Sequence, residues 1–302
     1  MSKLIKIGTL LNGPDAAALI PKFGPYGFEC FGITFWQTTG GIDLAELAKR
    51  VVDLAGQHGA FISSLGIFGN PLTGAGDNAD TLASWERLID HAHLFGTDIV
   101  SGFTGRIPDR PIEESIPRFK EVFGRLAERA RDRGVRLAFE NCSMGGSWYR
   151  GDWNIAHNPD AWNLMFDALP VDNIGLQWEP CHQLLNLIDP IPQLREWAPR
   201  IFNIHGKDAN VAWDIVRKQG VNGVRRFSWD RTPGFGDTDW TEIITILHQS
   251  GYQGTIDIEG WHDPVYCGEL ELTGQVASLE YLKRCRGGSF VPMPKLEGGA
   301  AQ

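Results

Sequence analysis

The sequence predicts an α/β fold, a single (β/α)8 TIM barrel, and three observations carry the expectation. Short, almost continuous apolar runs alternate with amphipathic helical segments, the pattern of parallel strands buried on both faces. Eight such runs fit into 302 residues, a common length for one barrel domain. No GxGxxG follows the first run, which argues against an open dinucleotide-binding sheet and a nucleotide cofactor. In order, the strand-like runs are residues 5–11, 28–35, 60–67, 98–103, 135–139, 173–178, 201–204 and 255–258. Between the second and third, "DLAELAKRVVDLAGQHG" begins with Asp43 as an N-cap and closes on Gly59. "NADTLASWERLIDHAHLFG" and "ESIPRFKEVFGRLAERARDRG" follow the same design, and "DWTEIITILHQSGYQG" repeats it before the last strand. Two stretches break the rhythm. Residues 142–162 form a long irregular segment, read as a lid or binding loop, and residues 213–237 make a second excursion after strand seven. Residues 1–286 are assigned to the barrel and 287–302 to a flexible tail or an arm onto a partner subunit.

Composition narrows the function. A net charge of -9 disfavours an electrostatic grip on nucleic acid or an anionic membrane. The chain has no apolar stretch long enough for a membrane span and its N-terminus lacks a signal-peptide pattern, so a cytoplasmic protein is expected. Five scattered cysteines without a CxxC pair read as reduced thiols. A homo-oligomer is compatible with the fold class, and its number is not fixed.

The ends of the last four strands share a chemistry. Strand five ends in Glu140, strand six in Glu179, strand seven in His205 and strand eight in Glu259. Barrel active sites lie at the C-terminal ends of strands, and adjacent strands are about 4.8 Å apart, so four such groups converge. Clustered buried carboxylates repel each other and are costly to desolvate. A divalent cation removes both costs. Three carboxylates and one imidazole favour Mn²⁺ first, with Mg²⁺, Co²⁺ or Zn²⁺ as alternatives.

With "GIFGNPL", "AFEN", "GLQWEPCH", "NIHGKDA" and "PGFGDTDWTEIITILHQSGYQGTIDIE", the chain resembles the sugar phosphate isomerase/epimerase superfamily of xylose-isomerase-like barrels, from about residue 5 to 285. The resemblance implies one divalent metal held by Glu140, Glu179, His205 and Glu259; Glu179 stands where the superfamily usually has aspartate. It also implies that His182, three residues past the strand-six ligand, binds substrate. Glu140 and Glu259 become the acid/base pair on either side of an enediolate formed by proton abstraction α to a carbonyl. Reprotonation gives isomerisation or epimerisation of a sugar or keto-sugar, the leading expectation. Loss of a β-substituent gives a lyase or dehydratase acting on an inosose or 3-keto-glycoside, the alternative.

Lys207 lies two residues beyond His205, on the same side of an extended chain, where its ammonium would stabilise the enediolate oxygen or hold a substrate hydroxyl. Trp36, Asn70, Trp261 and His262 follow strands two, three and eight and are the remaining substrate-binding candidates, since flat apolar faces beside polar groups suit a sugar or cyclitol. No glycine-rich phosphate cradle follows Glu259, so an unphosphorylated substrate is favoured.

Overall fold

The computed structural model describes residues 4–289 together with 291 and 292. Eight parallel strands close a barrel in the order β1-β10-β7-β6-β5-β4-β3-β2. They are β1 (Lys6–Asn12), β2 (Cys30–Trp36), β3 (Phe61–Phe68), β4 (Ile99–Gly102), β5 (Arg136–Glu140), β6 (Ile174–Trp178), β7 (Ile201–Gly206) and β10 (Thr255–Ile258). Each corresponds to one of the eight apolar runs. The outer helices are α1 (Ala16–Phe23), α2 (Leu44–Gln57), α3 (Thr81–Phe95), α4 (Ile112–Arg131), α5 (Pro159–Ala168), α6 (Pro180–Leu185), α7 (Pro190–Trp197), α9 (Trp240–Gln249) and α10 (Glu271–Cys285).

Helix starts follow capping chemistry. Asp43 Oδ1 accepts from the amides of Ala45 and Glu46, and Asp239 Oδ1 from that of Glu242, satisfying donors that the first turn leaves open. Gly96 ends α3 at φ 72°, a left-handed conformation that favours glycine. The main core lies between helices and sheet. Trp85, Phe119, Phe123 and Phe139 pack there edge to face or tilted, with Phe123 and Phe139 centroids 4.9 Å apart. Truncating a buried ring such as Phe123 to alanine costs about 3–5 kcal/mol.

One element was not expected from the sequence. The excursion after β7 carries a two-stranded antiparallel ribbon, β8 (Asp208–Val211) and β9 (Ser228–Arg231), with the short helix α8 (Trp213–Gln219) between them. Asp208 and Asp237 anchor it. Asp208 accepts from the amides of Ala209, Gly234 and Thr238 and from Trp240 Nε1, and Asp237 from Asn210 Nδ2 and the Val211 amide. The expected tail, 287–302, falls largely outside the described residues.

Candidate active site

Four strand ends meet at the C-terminal mouth. Glu140 closes β5, Glu179 directly follows β6, His205 lies within β7, and Glu259 directly follows β10. One ligand atom from each lies within 4.8 Å of the others, and all four side chains are buried. His205 Nδ1 is 3.2 Å from Glu140 Oε1 and 3.2 Å from Glu259 Oε2. Glu179 is the N-terminal flanking residue of α6, in an extended conformation that continues the strand, yet its carboxylate does not cap the helix. Neither Glu179 oxygen accepts a hydrogen bond, and His205 Nε2 is likewise without a partner. His182 Nε2 lies close to Glu179 Oε1, outside hydrogen-bond alignment. Buried polar atoms without partners are costly. One ligand atom each from Glu179 and His205 converges with one from each of the other two carboxylates, an arrangement that fits a divalent cation.

The backbone around these ligands is clamped by two asparagines that sequence reasoning did not single out. Asn141 donates to the Glu179 carbonyl at 2.8 Å and accepts from its amide at 2.7 Å, tying the ends of β5 and β6 together. Asn154 donates to the carbonyls of Glu140 and Cys142, both at 2.8 Å. "AFEN" contains the first of these, but an amide after a strand has no chemical signature until its partner is known.

Lys207 is buried, with Nζ 2.8 Å from Glu259 Oε1 and 3.7 Å from Asp230 Oδ1. Burial works against the charge on Glu259. The Lys207 ammonium and hydrogen bonds from His205 and His262 outweigh it and hold the carboxyl well below its usual range. Burial likewise opposes a charge on His205, but hydrogen bonds to Glu140 and Glu259 raise its pKa to about 9 in the absence of a cation. Burial and the Lys207 charge push His182 well down, so it stands neutral. His262 Nε2 lies 3.1 Å from Glu259 Oε1 on the exposed side of the cluster. Asp230, on the unexpected ribbon, completes the surroundings of Lys207. It could not be found from the barrel repeat because it lies outside it.

These groups open into one cavity of about 800 Å³ whose lining includes Glu140, His182, His205, Lys207, Asp230 and Glu259. Trp36, Trp261 and His262 line it too, Trp36 at the rim with its ring centroid 5.4 Å from that of Trp153. Phe68, Phe103, Cys142 and Met144 form its apolar wall beside His205. Asn70 is placed differently from the sequence expectation: it is 1% exposed and does not line the cavity. Its amide nitrogen donates to the carbonyls of Arg106 and Asp152, and its oxygen accepts from the amides of Leu72 and Arg106. Every donor and acceptor of the side chain is spent on joining three loops, which leaves nothing for a ligand.

The irregular segment after β5 is pinned rather than free. The fully buried Arg106 guanidinium donates to the carbonyls of Arg110, Ser147 and Trp148. Its hydrogen bonds thus go to backbone carbonyls, with the charges of Asp152 and Glu113 nearby, and hold the loop that supplies Cys142 and Met144 to the cavity.

The model of the xylose isomerase-like TIM barrel family matches residues 25–285. An inosose dehydratase from Clostridium perfringens is 22% identical over 181 residues, 57% of this chain and 55% of that protein; the chain thus aligns with about half the length of this relative. A xylose isomerase domain protein from Planctomyces limnophilus superposes with a TM-score of 0.67 at 18% identity, covering 94% of this chain and 97% of that one. The 3-keto-D-glucoside 4-epimerase of E. coli superposes with a TM-score of 0.68 at 14% identity, covering 93% and 100%. At these identities the superpositions establish a shared fold. The matched family model spans most of the barrel, all four strand ends included, and the chain belongs to the xylose isomerase-like TIM barrel family.

Proposed function

We propose that this chain is a divalent-metal-dependent enzyme, Mn²⁺ being the first choice of ion, that isomerises or epimerises a sugar or keto-sugar by proton transfer α to a carbonyl. The observation that carries the reading is the buried set of Glu140, Glu179, His205 and Glu259, in which neither Glu179 oxygen makes a hydrogen bond, nor does His205 Nε2. A bound divalent cation supplies Lewis-acid charge that makes a neighbouring C–H acidic.

The side chains divide the remaining work. Glu140 and Glu259, contributed by β5 and by the end of β10, face the cavity from two sides and serve as base and acid. His262, 3.1 Å from Glu259 and half exposed, relays the proton between that carboxylate and solvent. Lys207 holds Glu259 in place and presents an ammonium to a developing oxyanion. Neutral His182 orients a substrate hydroxyl. Among the described residues lining the cavity, Lys207 is the one lysine or arginine, and it is already paired. That supports an unphosphorylated substrate.

A second reading, a lyase or dehydratase, is favoured by the same Lys207, which is placed to stabilise negative charge while a β-substituent departs, and by the similarity to an inosose dehydratase. One experiment separates the two. Metal-loaded protein is incubated in D₂O with a panel of ketoses, inososes and 3-keto-glucosides. Deuterium at the α-carbon without loss of water is expected for the isomerase, and a new enone absorbance for the lyase. Absence of both across the panel contradicts the proposal.

A further inference from the structure

The cavity is larger than the metal cluster and one sugar ring require. Its volume, about 800 Å³, lies near the top of the roughly 300–1,000 Å³ range that holds drug-sized ligands. The ionisable groups Glu140, His205, Lys207 and Glu259 gather at the metal cluster, while Asn12, Thr34, Glu271 and Gln275 are the polar side chains among the lining on β1, β2 and α10. The cavity's lining extends to β1, β2, α1 and the start of α10, which contribute Leu10, Leu11, Leu19, Phe23, Phe35 and Leu272. Leu19 and Leu272 are only partly buried, each packed on the core with a side left toward the cavity. Side chains of α1 and of the start of α10 thus reach the same cavity, and hydrocarbon makes up most of its lining on that side.

We propose that the substrate is amphipathic: a sugar or keto-sugar ring at the metal cluster carrying an apolar, non-sugar group that fills the annex between α1 and α10. This rests on the reading of the mouth given above. A free sugar presents hydroxyls on every edge, and burying them against Leu11, Phe23 and Phe35 leaves them without partners. An aromatic or aliphatic aglycone gains from the same contact. Continuity favours the substrate over other occupants, because annex and cluster share a single cavity. Arg286, just past the end of α10, lies beside the start of β1, where it donates to the Ile5 carbonyl at 2.6 Å and pairs with Glu29.

The test is calorimetric binding to metal-loaded protein of matched phenyl and methyl β-D-glucosides, and of the corresponding galactosides. Phenyl glycosides are expected to bind about tenfold tighter or more than their methyl counterparts. Leu19→Asn and Leu272→Asn, both at partly exposed positions, are expected to reduce that advantage to about twofold while leaving methyl-glycoside affinity unchanged. Equal affinities for phenyl and methyl forms, an advantage untouched by both variants, or no binding of any glycoside overturns the proposal. A monomer–dimer equilibrium weakened by Leu272→Asn, seen by sedimentation, assigns the annex to a second copy and overturns it as well. Metal content and α-deuterium exchange, read on the same preparations, report on the mouth separately, so the two readings fail independently.

Discussion

The barrel interior holds buried carboxylates in two opposite conditions. Toward the N-terminal half, Asp257 on β10 accepts from Ser63 Oγ at 2.9 Å, Thr255 Oγ1 at 3.0 Å, Asn203 Nδ2 at 3.1 Å and Cys30 Sγ at 3.3 Å. Glycines make room for it: a Cβ on Gly8 would lie 2.6 Å from Asp257 Oδ1. At the C-terminal mouth, Glu179 is just as buried and neither of its oxygens accepts a hydrogen bond. The same fold surrounds one carboxylate with neutral donors and leaves the other without a hydrogen bond. The first arrangement is complete in itself and stabilises the barrel. The second, on the reading proposed above, is completed by a cation, which would make it a feature of chemistry rather than stability.

Substitutions sharpen this contrast. The largest effect is expected at Lys207, whose ammonium belongs to the mouth: Lys207→Ala lowers turnover by about 10²–10³-fold, measured on whichever keto-substrate shows α-exchange. Next is Asp257→Ala, which strands several buried donors and lowers unfolding stability by about 3 kcal/mol in urea titration, with little change in metal content. Glu179→Gln is expected to act with the opposite sign. In metal-free protein it replaces a buried carboxylate that accepts no hydrogen bond and is expected to raise stability by about 1–2 kcal/mol, whereas with metal present the variant is expected to be the less stable of the two. Equal signs for Asp257→Ala and metal-free Glu179→Gln would break the comparison.

The smallest effect concerns acid. Asp263 joins β9 to the loop after β10 by accepting from Arg231 Nε, from Thr232 and from the amides of Val265 and Tyr266. Burial opposes its charge, but the amides of Tyr266, Thr232 and Val265, with Arg231, lower its pKa from 3.8 to about 2. A depressed carboxyl contributes stability above its unfolded pKa and loses it as pH falls through the folded one. The gap in thermal midpoint between wild type and Asp263→Asn is therefore expected to be full near neutrality, to narrow from about pH 4 and to close near pH 2.

The barrel was legible because both of its signals are periodic. Eight apolar runs and capped helices such as Asp43–Gly59 repeat one local physics, and each repeat supports the next. The positions of Glu140, Glu179, His205 and Glu259 were legible for the same reason, since a strand end has a known place in a closed barrel. The ribbon bearing Asp230 was not, because its antiparallel pairing depends on Asp208 and Asp237 reaching distant amides. Asn70 misled in the other direction. A polar residue after a strand reads alike whether it faces a ligand or, as here, knits the loops around Arg106 and Asp152. The apolar annex was hidden too, since Leu19 and Leu272 are ordinary residues of amphipathic helices until the cavity beside them is seen.

The most direct test of the metal reading is elemental analysis of purified wild-type protein beside Glu179→Ala and His205→Ala, after dialysis against Mn²⁺. About one equivalent of divalent metal in the wild type, lost from both variants, is the predicted result. No metal in the wild type, or metal retained in both variants, would contradict the assignment of these strand ends to a single cation.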